Sequence, residues 1–377
     1  MEIQHLSVRD FRNFASGDLD LSPRFTVLHG ENGAGKTNLV EALYLVSTLR
    51  SFRVSELGAL IRQGAEATRV ELSGVDGSLD LRTQLGVNLV RKGRSVRRSA
   101  IADGKTIRSA KDFYGRARAI LFTPEDLGIL RGSPSGRRNF LDRVLFARDR
   151  THISDVQAYE KALRSRNHVL RKEPDQATRE HLAETYEAPL ADFGARIWGR
   201  REALIEALRG SFIDVFSQIH GLGMSPAINY QSKLGSDHTD RQEALSEALR
   251  GRRSADLLRR TTTVGPHRDD LLMTLNGQPV GAFASQGQTR ALILAFKIAE
   301  VRSARDLHGE PPLLLLDDVS SELDPLRNAQ LFAALTEDAG QCVLTTTAPT
   351  FVHLGASAEA HYVEVSAGQL RPINKPT

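Results

Sequence analysis

The sequence predicts an α/β fold with a mixed sheet, an antiparallel β part and an inserted α-helical lobe. Three observations predict it. A β-rich run from Arg24 to His29 breaks into glycines and then into a helical pattern. Residues 68 to 110 alternate apolar and polar side chains, whereas residues from about 152 to 260 carry apolar side chains at helical spacing.

Taken in order, the first forty residues read strand, turn, strand, loop and helix. From Asn38 onward Leu39, Ala42, Leu43 and Val46 recur at helical spacing. Asp76-Gly77 and Asp103-Gly104 are hairpin turns within the alternating stretch, because both residue types tolerate positive φ. In the helical stretch Ile153, Val156, Tyr159, Leu163 and Leu170 share one face. Leu190, Phe193, Ile197, Leu204, Leu208 and Phe212 form a second. Heptads are not sustained, which excludes a long coiled-coil arm. Asp269 to Val280 reads as a hairpin around Asn276-Gly277. A helix through Leu292, Ala295 and Ile298 and a buried strand at Leu313 to Leu316 follow. The predicted organisation is one domain built from residues 1–150 and 261–377, with residues 151–260 inserted as a helical lobe.

Composition narrows the function classes. Of the 377 residues, 40% are hydrophobic and 25% charged, an ordinary globular balance. The first residues lack a secretory pattern, and no apolar run approaches the ~20 residues that cross a bilayer. Cys342 is the only cysteine, so an internal disulfide is excluded and a cytoplasmic location is the expectation. The net charge of +4 is mild, but between Arg91 and Arg118 ten Lys or Arg stand against two Asp. Arg91, Lys92, Arg94, Arg97 and Arg98 form the dense part of this run. A solvated hairpin face and a phosphate-contacting surface both fit it.

Gly30-Glu31-Asn32-Gly33-Ala34-Gly35-Lys36-Thr37, with Asn38 next, fits the pattern Gly, four residues, Gly, Lys, Ser/Thr of a phosphate-binding loop. Its glycines let backbone N–H groups approach phosphate oxygens where a side chain would collide, and the following helix adds its positive end. Lys36 is suited to the β- and γ-phosphates of ATP, and the Thr37 hydroxyl to Mg²⁺. Leu313 to Leu316 then runs into Asp317 and Asp318. A buried strand ending in a carboxylate beside such a loop holds Mg²⁺ through water, which is the expectation for Asp317. Asp318 is the candidate for orienting the attacking water. Either half alone is common, but the pair is specific.

Ser285-Gln286-Gly287-Gln288 opens a helix, and alone it reads as a helix cap. Its place shortly before the Asp317 strand also matches the signature with which ABC-type ATPases complete a partner subunit's ATP site. Ser321-Glu322-Leu323-Asp324 stands where the D-loop belongs. Four motifs in this order specify an ABC-type P-loop ATPase head. His267 lacks a second His or Cys at ligand spacing, so a structural hydrogen bond fits it better than a metal.

Further segments resemble the RecF family of recombination mediators. They are Arg9-Asp10-Phe11-Arg12-Asn13-Phe14, Asn32 to Asn38, Ser51-Phe52-Arg53 and Phe122 to Leu127. Later come Gly132 through Pro134 to Arg137-Arg138, Phe140-Leu141-Asp142, Val264 to Leu271, Leu316 to Val319 and Ser321 to Asp324. The resemblance weakens over 171–250 and in the C-terminal tail. It implies slow, DNA-stimulated ATP hydrolysis used as a switch, and a homodimer held by ATP. It also implies binding to double-stranded DNA near single-strand gaps, and cooperation with RecR and RecO to load RecA in repair, replication and the SOS response. ATP-site residues implied are Gly30 to Asn38, Ser285, Gly287, Gln288, Asp317, Asp318 and Asp324. By position, the Q-loop falls near Thr123 to Glu125. The strand that usually precedes a switch histidine ends here in Thr345-Thr346-Thr347.

The rival readings are a transporter ATPase subunit, an SMC-type ATPase and a P-loop nuclease. A transporter subunit has a far shorter stretch between loop and signature than the 249 residues separating Lys36 from Ser285. An SMC-type ATPase needs long coiled-coil arms, and a nuclease needs a separate carboxylate cluster that the sequence does not offer.

Overall fold

The helix Lys36–Thr48 is buried on every side from Leu39 to Thr48, not along one face only. A helix apolar all round belongs in an interior, and in the computed structural model this one touches strands of two sheets. The structure describes residues 1–76, 81–93, 95–220, 223–235, 240–318, 328–330, 332–333, 337, 340–352, 354 and 359–374. It divides into two compact units, Met1–Leu127 with Ile293–Thr377, and Gly128–Leu292. The lobe expected at 151–260 lies inside the second unit, which extends beyond it at both ends.

In the first unit one sheet carries Leu313–Leu316, Cys342–Thr346 and Phe25–His29 side by side and parallel. Ala119–Phe122 continues it at one edge, and Ala360–Ser366 with the antiparallel Gln369–Ile373 at the other. All four residues of Leu313–Leu316 and all five of Cys342–Thr346 are buried, as parallel strands covered on both faces require. The carboxyl ends of these strands are where the loops with chemistry emerge.

The other sheet is antiparallel, in the order Phe14–Asp20, Glu2–Phe11, Ala67–Asp76, Leu81–Lys92, Ser95–Ala102, Lys105–Ile107. Its alternation puts Val70, Leu72, Leu85, Val87 and Leu89 inside. In Glu2–Phe11 the buried phase changes from Ile3 to Leu6 and Val8, because a bulge between Ile3 and His5 shifts the register. The N-terminal forty residues hold three strands rather than two. Glu2–Phe11 and Phe14–Asp20 form a hairpin in which Phe11 pairs with Phe14. Its turn has Arg12 at φ 54° and no glycine, so Asn13 was its one turn signal.

The second unit contains the helices Pro134–Arg148, His152–Lys172, Gln176–Glu184, Glu187–His220 and Arg241–Arg259. Of the two expected apolar faces, Leu163 and Phe193 are half-buried and the other named residues are buried. The hairpin Asp270–Leu275 and Gln278–Pro279 turns at Asn276 (φ 51°) and Gly277 (φ 76°). Pro226–Gln231 joins it as a third strand, which the sequence reading assigned to the helical lobe. Buried ion pairs cross this unit: the Arg201 guanidinium donates to both Asp142 oxygens at 3.0 and 2.9 Å, and Arg166 to Asp256 at 2.7 Å. No described helix is long and apolar enough to cross a membrane.

Candidate nucleotide site

The loop from Gly30 to Gly35 needs its glycines for two separate reasons. Gly30, Gly33 and Gly35 have φ of 148°, 84° and 116°, backbone that L side chains rarely adopt. At Gly30 a Cβ would also collide with the Val365 carbonyl oxygen. At Gly35 it would lie 2.6 Å from Asn13 Nδ2 and 2.9 Å from the Phe14 ring. Around Gly33 the space is open, which leaves its backbone accessible.

Lys36 folds back over this loop, and its ammonium donates to the Gly30 and Glu31 carbonyls at 2.7 and 3.0 Å. Burial lowers its pKa, while Asp318 and then Asp317 oppose that shift. Thr37 donates from Oγ1 to Asp317 Oδ1 at 2.8 Å, across 280 residues of sequence. The same carboxylate oxygen accepts from Thr345 Oγ1 at 3.0 Å, and Thr345 Oγ1 accepts the Asp318 N–H at 2.8 Å. Burial raises the Asp317 pKa, with the Thr37 and Thr345 hydrogen bonds acting against it. Among the described residues the Asp317 side chain is partnered by hydroxyls alone, and a buried carboxylate beside a threonine hydroxyl fits a divalent cation. The donor set and the open loop thus suit a magnesium-bound triphosphate. Glu125, just after the Ala119–Phe122 strand, adds its charge at Asp317.

Two residues missed as functional stand over the loop. Asn13 Nδ2 donates to the Ala34 carbonyl at 3.0 Å, Asn38 Nδ2 to Asn13 Oδ1 at 2.7 Å, and Arg53 Nη1 to Asn38 Oδ1 at 2.8 Å. Asn13 and Arg53 lie within two of the segments shared with the family, and only that resemblance could have flagged them. Thr345 is a third. The threonine run was noted for its missing histidine, not for a hydroxyl on Asp317.

The remaining site residues fall elsewhere. Ser285, Gly287 and Gln288 belong to the second unit. Ser285 Oγ accepts from Gln288 N at 3.2 Å while Gln288 Oε1 accepts from Ser285 N at 2.8 Å. This is a reciprocal cap of the helix Gln286–His308. Ser285 and Gln286 are exposed. Asp324 and Arg94 lie outside the described residues, as does Gly77 of the Asp76-Gly77 turn. The basic hairpin does not present one surface. Arg91 and Arg98 share a face with Leu89 and Val96, and their guanidinium groups donate to the Gly58 carbonyl at 3.0 Å and to the Leu49 carbonyl. Lys92 and Arg97 are exposed on the opposite face. His267 is a structural residue: its Nδ1 accepts from the Tyr159 hydroxyl at 2.6 Å, and its Nε2 donates to the Thr262 carbonyl at 3.1 Å. Burial lowers its pKa to about 4, consistent with a neutral ring.

Known proteins are similar to this chain in sequence and in fold. Residues 2–366 match the family described as RecF/RecN/SMC N terminal domain. The chain is 39% identical over 380 residues to the DNA replication and repair protein RecF of Anaeromyxobacter sp. (strain Fw109-5), covering 99% of this chain and 100% of that one. It is 39% identical over 381 residues to the same-named protein of Myxococcus xanthus (strain DK1622), covering 98% and 97%. A solved structure of the recombination mediator protein RecF-ATP in the RecFOR pathway superposes with a TM-score of 0.86 at 28% identity, over 99% of this chain and 98% of that one. An SMC head bound to the C-terminal winged-helix domain of ScpA shares the fold, with a TM-score of 0.57 at 15% identity over 99% and 97% of the two chains. The fold is that of an ABC-type ATPase head with an inserted helical region, and the chain belongs to the RecF family of DNA replication and repair proteins.

Proposed function

We propose that the chain is an ATP-gated DNA-binding recombination mediator that works as a clamp of two protomers. The observation that carries this reading is the Asp317 carboxylate, held by Thr37 and Thr345 beside Lys36. The loop N–H groups from Gly30 to Asn38 and the Lys36 ammonium would hold the phosphates of ATP, and Thr37 with Asp317 would hold Mg²⁺. When bound, ATP supplies a terminal phosphate that joins two protomers and whose cleavage lets them part.

The residues of the chain divide the remaining work. Asp318 orients a water and accepts its proton, making the protein a weak ATPase used as a switch. The exposed Ser285, with Gly287 and Gln288, serves the partner protomer's triphosphate, and Asp324 belongs to the same composite site. The paired protomers hold double-stranded DNA near single-strand gaps, with Lys92 and Arg97 as the hairpin cations placed to meet phosphate. RecR, and through it RecO and RecA, are the protein partners, supported by the similarity to proteins of the RecFOR pathway.

Sedimentation and duplex DNA binding, each with and without ATP, test this reading. ATP should convert monomer to dimer and raise DNA affinity together. A protein that stays monomeric and ignores both ATP and DNA overturns it.

A further inference from the structure

The Val264–Leu271 segment has no part in the nucleotide site, yet within the second unit it lines a cleft of about 840 Å³. Five cations line the same cleft: Arg138, Lys233, Arg252, Arg259 and Arg268. They come from four places in the chain. Arg138 is on helix Pro134–Arg148, Lys233 follows strand Pro226–Gln231, Arg252 and Arg259 are on helix Arg241–Arg259, and Arg268 is in the segment itself. Arg252 and Arg259 are seven residues apart, two helical turns, and so share a face.

Counter-charge is sparse among the described residues. The acidic residue among those lining the cleft is Asp270, and it is already taken by Arg137 through two hydrogen bonds of 2.7 and 2.6 Å. Among the described residues none of the five cations has an ion pair within 4.0 Å. Arg138 donates to the Asp269 carbonyl at 2.8 Å, and Arg268 to the Thr262 carbonyl at 2.9 Å. Burial and then the like charge of Arg201 disfavour the charged form of Arg138, against the opposing charges of Asp270 and Asp269, and an anion in the cleft would add to their side. A cation in the last turn of a helix also meets that helix's carbonyl end. That accounts for Arg259 and leaves the other four.

We infer that this cleft is a second nucleic-acid site, which grips backbone phosphates through Arg138, Lys233, Arg252, Arg259 and Arg268. Guanidinium forks match phosphate oxygens two at a time, and four of the five cations are arginines. Single-strand platforms stack bases on aromatic rings, and no Phe, Tyr or Trp is among the described residues lining the cleft. His267, which does line it, has both ring nitrogens occupied. The contacts proposed are therefore to the phosphate backbone, which is the same in every sequence. It rests on the DNA-binding reading above and adds a location distinct from the hairpin.

The test is the salt dependence of binding to a duplex with a single-stranded overhang, in full-length protein with ATP. Arg252 and Arg259 are exposed, so Arg252→Gln/Arg259→Gln should fold, and its ATP-dependent dimerisation should match wild type. Each lost contact reduces the log–log salt slope by about 0.7 for single strand or 0.9 for duplex, so the double variant should lose roughly 1.4 to 1.8. Arg252→Glu/Arg259→Glu should weaken binding further for every sequence, and polyglutamate should compete poorly. An unchanged slope in both variants, with wild type binding DNA, overturns this site alone. So does polyglutamate displacing DNA as well as unlabelled single strand does, since the cleft then takes acidic peptide. A wild type that binds no DNA overturns the DNA reading and this site with it.

Discussion

Asp317 and Asp318 are adjacent, but their backbones commit them to different uses. Asp317 keeps the sheet, its N–H bonded to the Phe122 carbonyl at 2.9 Å. Asp318 leaves it at φ 49°, in the left-handed region. Outside glycine that conformation is visited mainly by Asn and Asp, so Asp318→Asn changes the charge without straining the turn. The variant should bind ATP as wild type does and hydrolyse it about 10²-fold more slowly or worse. The ATP-held dimer should accumulate, and its lifetime on labelled DNA, chased with unlabelled duplex, should lengthen. Equal dissociation rates at saturating ATP would show that hydrolysis does not time release. At this scale Lys36, Thr37 and Asp317 were legible because their spacing to glycines and to an apolar strand is local. Thr345 and Asn13 were not, since a hydroxyl or amide that reaches its partner only after folding leaves no local pattern.

Among the elements, the short N-terminal hairpin is the least conspicuous in sequence and is tied most directly to the loop. Arg12 donates to both Glu41 oxygens at 2.8 Å, Ser51 donates to the same carboxylate, and Glu41 is fully buried. This clamp fastens the Arg12–Asn13 turn to the first turns of helix Lys36–Thr48, and so sets Asn13 on the Ala34 carbonyl. Glu41→Gln leaves the Arg12 charge without its partner, and breaking a buried pair from one side costs about 3 to 5 kcal/mol. The urea midpoint should fall accordingly, and ATP affinity should fall with it. An unchanged midpoint would mean the pair contributes nothing to the hairpin's seat. The periodicity of Leu39, Ala42, Leu43 and Val46 was enough to identify this helix. That its other side is buried too depends on the antiparallel sheet, whose residues are distant in sequence. The basic hairpin shows the converse. Its composition was plain, but strand alternation divides its cations between two faces.

For the whole molecule the decisive fact is that the phosphate loop and Ser285, the proposed signature residue, belong to different compact units. Ser285→Arg should leave nucleotide binding nearly intact and abolish ATP-dependent dimerisation in sedimentation. It also removes a helix cap worth about 1 kcal/mol. Ser285→Asp keeps the cap, sets a negative charge where phosphate is expected, and should fail to dimerise as well. Mixing Lys36→Ala with Ser285→Arg should restore at most one of the two composite sites. Normal ATP-dependent dimers of both Ser285 variants would remove the signature assignment.

The sequence by itself determined the fold class, the phosphate loop and the Asp317 strand, because short-range spacing and hydrophobic period specify strand, loop and helix locally. Tertiary structure alone decided which hydroxyls hold Asp317, which hairpin cations are spent on carbonyls, and that residues 138, 233, 252, 259 and 268 line one cleft. These are contacts across tens to hundreds of residues. Each polar group buried by folding needs a partner, and which partner lies within reach is something no local window of sequence contains.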